Sequence, residues 1–387
     1  MPSEFEIIDS YFAPSAKQAQ GVVLGVGDDC ALVEPPVGQH LAISIDTLVE
    51  GVHFLPDIAA EDLAWRLLGS SVSDLAAMGA QPLWLTLAIT LPEADERWLS
   101  RFTSGLDAAL EAYKISLVGG DTTSGQLRVL SAQVQGSVPV GEALRRDGAQ
   151  VGDLIYVSGT LGDSRAGLEL LQNPQSHAQQ ADYLLQRFLR PSPRIDLGMA
   201  LRGIATAAID ISDGLLADLG HLLRRSGVAG QIELESLPRS TALHSFCDAA
   251  QAMRWAATGG EDFELCFTCP ESRKSDIEAI SAQLGLRLSA IGRVSVGSEL
   301  EVKSQGQSWL NPHSAGRLLR GSRAQDALLR GFRVRLHRSP LHCRYTPAAA
   351  LYRLARVEDT ARRRAYAKGG RCRIAAFGGH GRCGAGV

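Results

Sequence analysis

Seven aspartates stand where they could do chemistry. Asp28 and Asp29 sit side by side in VLGVGDDCALV, Asp46 ends the alternating run LAISID, Asp121 closes SLVGGD, and Asp210 and Asp213 close ATAAIDISD. Asp74 is the seventh, inside the helical stretch EDLAWRLLGSSVSDLAAM. Apolar runs of this kind are expected as strands entering a core, which places acids at strand ends, where ligand sites of α/β folds form. Taken singly, each has an ordinary explanation: Asp46 as a helix cap, Asp74 on a solvated helix face, Asp121 in a turn. Crowded together they repel, and they cost free energy unless a cation neutralises them. Ser44, Thr47, Thr122 and Ser212 lie close by in sequence and add hydroxyl oxygens. Such hard oxygen donors suit Mg²⁺, which completes its shell with water and substrate phosphate. The expectation is several Mg²⁺ ions carried in with a polyphosphate.

What is missing narrows the chemistry. Gly120 to Gly125 has the spacing of a phosphate-binding P-loop, but Gln126 stands where its lysine belongs. No kinase-type glycine loop with a downstream HRD is present. The first 316 residues contain only four lysines. An enzyme of phosphates built this way draws its positive charge from metal ions and a few arginines.

The elements that must position these acids alternate along the chain. Strands are expected at 41–47, 81–92, 116–121, 127–140, 153–159 and 205–214, with more in QIELESL, DFELCFTC and LSAIGRV. Helices are expected at 61–78, 93–113, about 163–172 and 215–227, the last closed by Gly227. LRPSPR (189–194) reads as a proline-stiffened connection, and the polar, glycine-bearing 143–153 as a junction. The pattern is two α/β or α+β lobes, 1–147 and 148–316, followed by a tail, 317–387.

The tail differs in kind. It carries 16 arginines and one lysine against three acids, a net of +14, whereas the rest of the chain is at −17. It reads either as a basic disordered segment with non-specific affinity for nucleic acid, or as the product of a reading frame lost near 311–316. Binding of nucleic acid would leave the aspartates unexplained, so no specific nucleic-acid partner is expected. Seven scattered cysteines, no basic leader and no run of 18 apolar residues point to a reduced, cytoplasmic protein without a membrane span. Cys266 and Cys269 spell CxxC within an apolar run and are expected to be structural.

Six segments, GVGDDCA, SIDTLVEGVHF, SVSDLAAMGAQP, VGGDTT, AIDISDGL and TGGEDFEL, occur in the order and rough spacing of the thiamine-monophosphate kinase family. The resemblance spans about residues 3–310. It implies the two-lobed synthetase-like fold shared with aminoimidazole ribonucleotide synthetase and selenophosphate synthetase, with a mixed N-terminal sheet that dimerises. It implies transfer of the γ-phosphoryl of ATP to thiamine monophosphate, giving thiamine diphosphate, in a homodimer. By position, Asp29, Ser44, Asp46, Asp74 and Asp121, with Asp28 beside them, resemble N-lobe metal ligands, and Asp210 and Asp213 C-lobe ones. Gly119, Gly120, Arg146 (or Arg145) and Ser212 resemble ATP contacts, and His53 and Glu261 substrate contacts. Without the resemblance, His53 beside Phe54 reads equally as a packed histidine, and Glu261 after two glycines as an exposed turn. No catalytic base is assigned, because a phosphate acceptor is already ionised at neutral pH.

Related readings fit less well. Selenophosphate synthetase calls for a reactive cysteine near a lysine in the N-terminal segment, yet no cysteine precedes Val22 and its only lysine is Lys17. Aminoimidazole ribonucleotide synthetase acts on an amide, and the DTLVEGVHF and GGEDFEL stretches suit it less. A non-catalytic metal- or nucleotide-binding protein stands as the other alternative. One departure from the family bears on affinity: its short aromatic ending is absent after Trp309, where LNPHSAGRLLRG follows. ATP and Mg²⁺ binding are therefore expected to survive with weakened thiamine-monophosphate binding.

Overall fold

A computed structural model describes residues 4–16, 21–173 and 180–309. The tail 317–387 and the point of the proposed frame loss lie outside the described residues. Thirteen strands are described: β1 Val22–Leu24, β2 Leu32–Val33, β3 Gln39–Val49, β4 Gln81–Leu91, β5 Ser116–Ser124, β6 Val129–Pro139, β7 Leu154–Ser158, β8 Ala207–Asp210, β9 Ala229–Glu233, β10 Leu265–Cys269, β11 Leu288–Ser295, β12 Leu300–Ser304 and β13 Gln307–Ser308. The α-helices are α1 Glu4–Ile7, α2 Ala60–Ala77, α3 Glu96–Tyr113, α4 Asp163–Gln172, α5 Ala181–Leu189, α6 Ile195–Ala200, α7 Leu215–Ser226, α8 Thr241–Phe246, α9 Ala249–Thr258 and α10 Lys274–Leu284.

The first sheet is mixed, in the order β3-β6-β4-β5, with only the β4–β5 pair parallel. Its inner face joins α2 and α3 in one apolar cluster that includes Leu63, Leu67, Phe102, Leu106, Leu130 and Val134. Asp95 starts α3 by accepting the N–H groups of Arg97 and Trp98, which otherwise have no partner at a helix start. The outer face is bare: Leu41, Ile43 and Ile45 are 40%, 61% and 59% exposed.

The second sheet runs β13-β12-β9-β11-β7-β10-β8. Residues of α7 and α9 share a cluster with one of its faces, and residues of α6, α10 and the end of α2 share one with the other. Every residue of β10, LCFTC, is buried, as a strand covered on both faces requires. Cys266 belongs to one face and Cys269 to the other, so this CxxC cannot grip one metal and is structural. Edge strand β8 is flanked by the segment after β6: Ala208 N–H donates to the Arg145 carbonyl (2.9 Å), and a Cβ on Gly148 would lie 2.0 Å from the Thr206 carbonyl oxygen.

Helix α2 touches both sheets and is buried on nearly every side. Small residues make this possible: Gly69, Ser70, Ser71, Ser73, Ala76 and Ala77 let neighbouring backbone come close, and Gly198 of α6 packs directly on the Ala76 carbonyl.

Two expectations are corrected. The apolar runs around Asp28 and Asp29 do not enter a core; β1 and β2 form a two-stranded ribbon with Val23 68% and Leu32 54% exposed. Two strands alone have too little apolar surface to build a core, and no other described strand pairs with them. Nor do the acids all fall at strand ends. Asp46 lies inside β3 and Asp121 inside β5, while the 205–214 strand stops at Asp210 and leaves Asp213 in a loop.

Candidate active site

Helix α2 organises the site through two adjacent polar residues near its C-terminal end, Ser73 and Asp74. Asp74 accepts a hydrogen bond from the Ser44 hydroxyl of β3, and the Ser73 hydroxyl donates to Asp210 of β8 (2.9 Å). Two neighbouring residues of one helix thus tie an acid-bearing strand of each sheet to the same spot. Asp46, two residues beyond Ser44, shares its side of β3.

The electrostatics confirm the crowding. Burial, with the charge of Asp74 added, raises Asp46 to about 6. Burial, then the charge of Asp74, raises Asp210 to about 7, against the opposing pull of the Ser73 hydrogen bond and Arg146. A further acid, Asp218, is raised to about 8 by burial and then by Asp210 and Asp213. It lies in α7 and accepts the N–H groups of Ser212 (3.1 Å), Asp213 (3.0 Å) and Gly214 (3.0 Å) on one oxygen. That grip fixes the loop carrying Ser212 and Asp213.

Beside this cluster runs the loop 259–264. Glu261 N–H donates to the Ser212 carbonyl (2.8 Å) and Phe263 N–H to that of Ile211 (2.9 Å). A Cβ on Gly260 would sit 2.6 Å from the Ser212 oxygen, so only glycine permits the approach. Asp262 is fully buried and accepts Gly162 and Ser164 N–H groups at the start of α4. Glu264 is buried between Arg187 and Arg194 and takes the Ser158 hydroxyl. Arg66 of α2 donates to Glu261 (2.6 Å). His53 accepts the Val49 N–H at Nδ1 (3.1 Å); burial lowers its pKa, Glu261 raises it, and Arg66 lowers it again. His53 and Glu261 are therefore neighbours across 208 positions of sequence.

The expected residues thus divide. Ser44, Asp46, Asp74 and Asp210 come together, with Asp213, Ser212 and Arg146 around them, and His53 joins Glu261. Asp28 and Asp29 lie exposed on the ribbon, where Asp29 N–H donates to Asp28. Gly119, Gly120 and Asp121 lie on β5. Asp121 shares a row with Ala88, Ser131 and Thr47, and Gly120 shares the next row with Leu87, Ala132 and Asp46. Adjacent rows point to opposite faces, so Asp121 is on the bare outer face and Asp46 on the inner one.

Asp218, Ser73 and Arg66 were not expected. The signal for Arg66 and Ser73 was a polar line through an apolar helix, Asp62, Arg66, Ser70, Ser73, at helical spacing. A separate cleft of about 840 Å³, lined by Trp65, Tyr113, Lys114, Tyr183 and Arg190 among others, holds none of the candidate residues.

The donor set fits Mg²⁺. Carboxylates and hydroxyls are its ligands, and the charge of Asp74 bears on both Asp46 and Asp210, an effect a cation between them would offset. Among the described residues, no three acidic, histidine or cysteine side chains are close enough to hold an ion by themselves. A pH dependence follows. Asp46, Asp210 and Asp218 hold protons in the folded state that the unfolded chain has already released, so rising pH favours unfolding. In EDTA the melting temperature is expected to fall from about pH 4 and level off above about pH 8, the range set by Asp46, Asp210 and Asp218. Mg²⁺ is expected to restore it at pH 8. Calorimetry in the two media checks this, and a flat profile in EDTA contradicts the crowding.

The model for the AIR synthase related protein N-terminal domain matches residues 27–138, and that for the C-terminal domain matches 150–305. The thiamine-monophosphate kinase of Salmonella typhimurium is 51% identical over 298 residues, covering 76% of this chain and 91% of that protein. The crystal structure of the thiamine-monophosphate kinase of Stenotrophomonas maltophilia K279a superposes with a TM-score of 0.70 at 44% identity, covering 75% of this chain and 92% of that one. A structure described as AaThiL complexed with AMPPCP and TMP superposes at 0.64 with 36% identity, covering 80% and 95%.

Proposed function

The chain belongs to the thiamine-monophosphate kinase family and to the AIR synthase related proteins, and on that premise we propose that it transfers the γ-phosphoryl of ATP to the phosphate of thiamine monophosphate. The observation that carries this is the meeting of the Asp46–Asp74–Asp210 cluster with the His53–Glu261 pair. One is a place for polyphosphate and cations, the other a place for an acceptor, and backbone bonds between the 211–213 and 259–264 loops join them.

The reaction forms a bond from an acceptor phosphate oxygen to Pγ and breaks the bond from Pγ to the β-bridging oxygen. The acceptor oxygen is ionised at neutral pH, so no residue need remove a proton. What the chain must do is hold two anions in line against their repulsion. Asp46, Asp74, Asp210 and Asp213, with Ser44, would hold Mg²⁺, which supplies charge neutralisation when bound. Arg146, Ser212, Gly119 and Gly120 would contact ATP, and Glu261 and His53 the acceptor. The lobes 1–147 and 148–316 then contribute the metal cluster jointly.

A second copy belongs in this reading. The bare face of Leu41, Ile43 and Ile45 is the apolar patch a dimer would cover, and Asp121 lies on that same face. Asp121 then serves the site of the partner copy, and the ribbon acids Asp28 and Asp29 would join the ligands of its cations. Among the described residues no helix is long and apolar enough to cross a membrane. Use of ATP and four unpaired cysteines among those residues support a cytoplasmic enzyme.

The direct test is thiamine diphosphate formation from thiamine monophosphate, ATP and Mg²⁺ by the full chain. Stoichiometric ADP and thiamine diphosphate are expected. Tight ATP binding with no transfer would instead leave a nucleotide-binding scaffold.

A further inference from the structure

An arginine in the middle of a buried helix needs a reason. The Arg66 side chain is 2% exposed. Its Nη2 donates to Glu261 Oε1 and its Nη1 to the Phe188 carbonyl, both at 2.6 Å. Its guanidinium lies 3.9 Å from the centre of the Phe188 ring. The three groups it joins are 122 and 195 residues apart from it in sequence, on α5 and on the loop after α9. Its Nε is buried without a hydrogen-bond partner.

As a stabilising device this is poor. Taking a guanidinium and a carboxylate out of water costs several kcal/mol, and packed apolar side chains commonly do as well or better. What the arrangement achieves is control of Glu261. That residue sits in the left-handed region at φ 68°, followed by Phe263 at φ 50°, so its backbone does not choose this place unaided. The pair is also lopsided: the Glu261 side chain keeps 22% of its surface exposed against 2% for Arg66, so the acid and not the base is open to a ligand. A carboxylate presented this way suits a cationic heteroaromatic ring, and thiamine monophosphate carries one in its thiazolium.

We propose that Arg66 is a positioning residue of the acceptor site, holding the Glu261 carboxylate against the cationic thiamine end of the substrate and so setting the preference for that acceptor. The inference rests on Glu261 being an acceptor contact. It assigns Arg66 no contact with the reacting phosphates.

Arg66→Lys tests it. Lysine keeps the charge, but a point charge on a flexible stem cannot serve a carboxylate, a carbonyl and a ring face at once. The expected result is a rise of about tenfold in KM for thiamine monophosphate, with KM for ATP and kcat within about twofold to threefold of native. Glu261→Gln is expected to raise the same KM, and the double variant to be no worse than the worse single one, since both break one interaction. Phe188→Leu, which removes the ring and keeps the carbonyl, should shift KM in the same direction by less, and decides the matter should Arg66→Lys fail to fold. Equal shifts in both KM values, or none in the Arg66 and Phe188 variants while Glu261→Gln raises KM, would overturn the proposal. No shift in Glu261→Gln would instead remove Glu261 from the acceptor site and the premise with it.

Discussion

Asp46→Asn is expected to lower kcat for thiamine diphosphate formation by about three orders of magnitude, the scale on which removal of a charge-stabilising group slows transfer. The same change is expected to make the metal-free protein more stable. Asp46 is held to about 6 by burial and by Asp74, so at pH 8 its ionised form opposes folding. Removing it should raise stability in EDTA on the order of 1 kcal/mol, a figure discounted for partial solvent access. Loss of activity with gain of stability is the signature of a group kept for function. Product assays and melting curves, run at pH 8 with and without Mg²⁺, check both halves. Activity within tenfold of native, or a lower melting temperature, would count against Asp46 as a cation ligand.

Mixing two dead variants should revive the enzyme. Asp46→Asn and Asp121→Asn proteins, each nearly inactive alone, are expected to regain about a quarter of native activity after equimolar mixing and subunit exchange. In the dimer proposed above, half of randomly formed pairs would join one variant with the other. Each such dimer has one site lacking both acids and one with both intact. The expectation comes from the register of the first sheet, which sets the two acids on opposite faces. No recovery, with exchange verified by a tagged subunit, would return Asp121 to the site of its own chain.

Much of this was legible in the residues themselves. The acids, the glycines beside them and their order along the chain pointed to phosphate chemistry and to the family. Helix α4 begins and ends where its apolar spacing puts it, at 163 and 172. Facing was not legible. Asp46 and Asp121 look alike in sequence, since each ends an apolar run, and the parity that separates them depends on how four strands are registered. The ribbon around Asp28 misled for a related reason: apolar content says that a strand wants cover, not that cover exists. Arg66 and Asp218 were hidden because their meaning lies in what they hold. Asp218 in LLADLG could be any first-turn acid until three N–H groups are seen converging on it.

The segment that presents Arg146 has a second consequence. It runs along β8, the outermost strand of the seven-stranded sheet, with Arg145 bonded to Ala208 and Gly148 pressed on Thr206. An outermost strand with free N–H and C=O groups is a template on which foreign chains pair and aggregates grow. Here the linker between the halves acts as a guard rail for that strand. A fragment that begins at residue 150 discards the guard together with the arginine. One that begins before Leu144 keeps both, so cover for the edge strand and the ATP contact proposed for Arg146 would be carried by the same few residues.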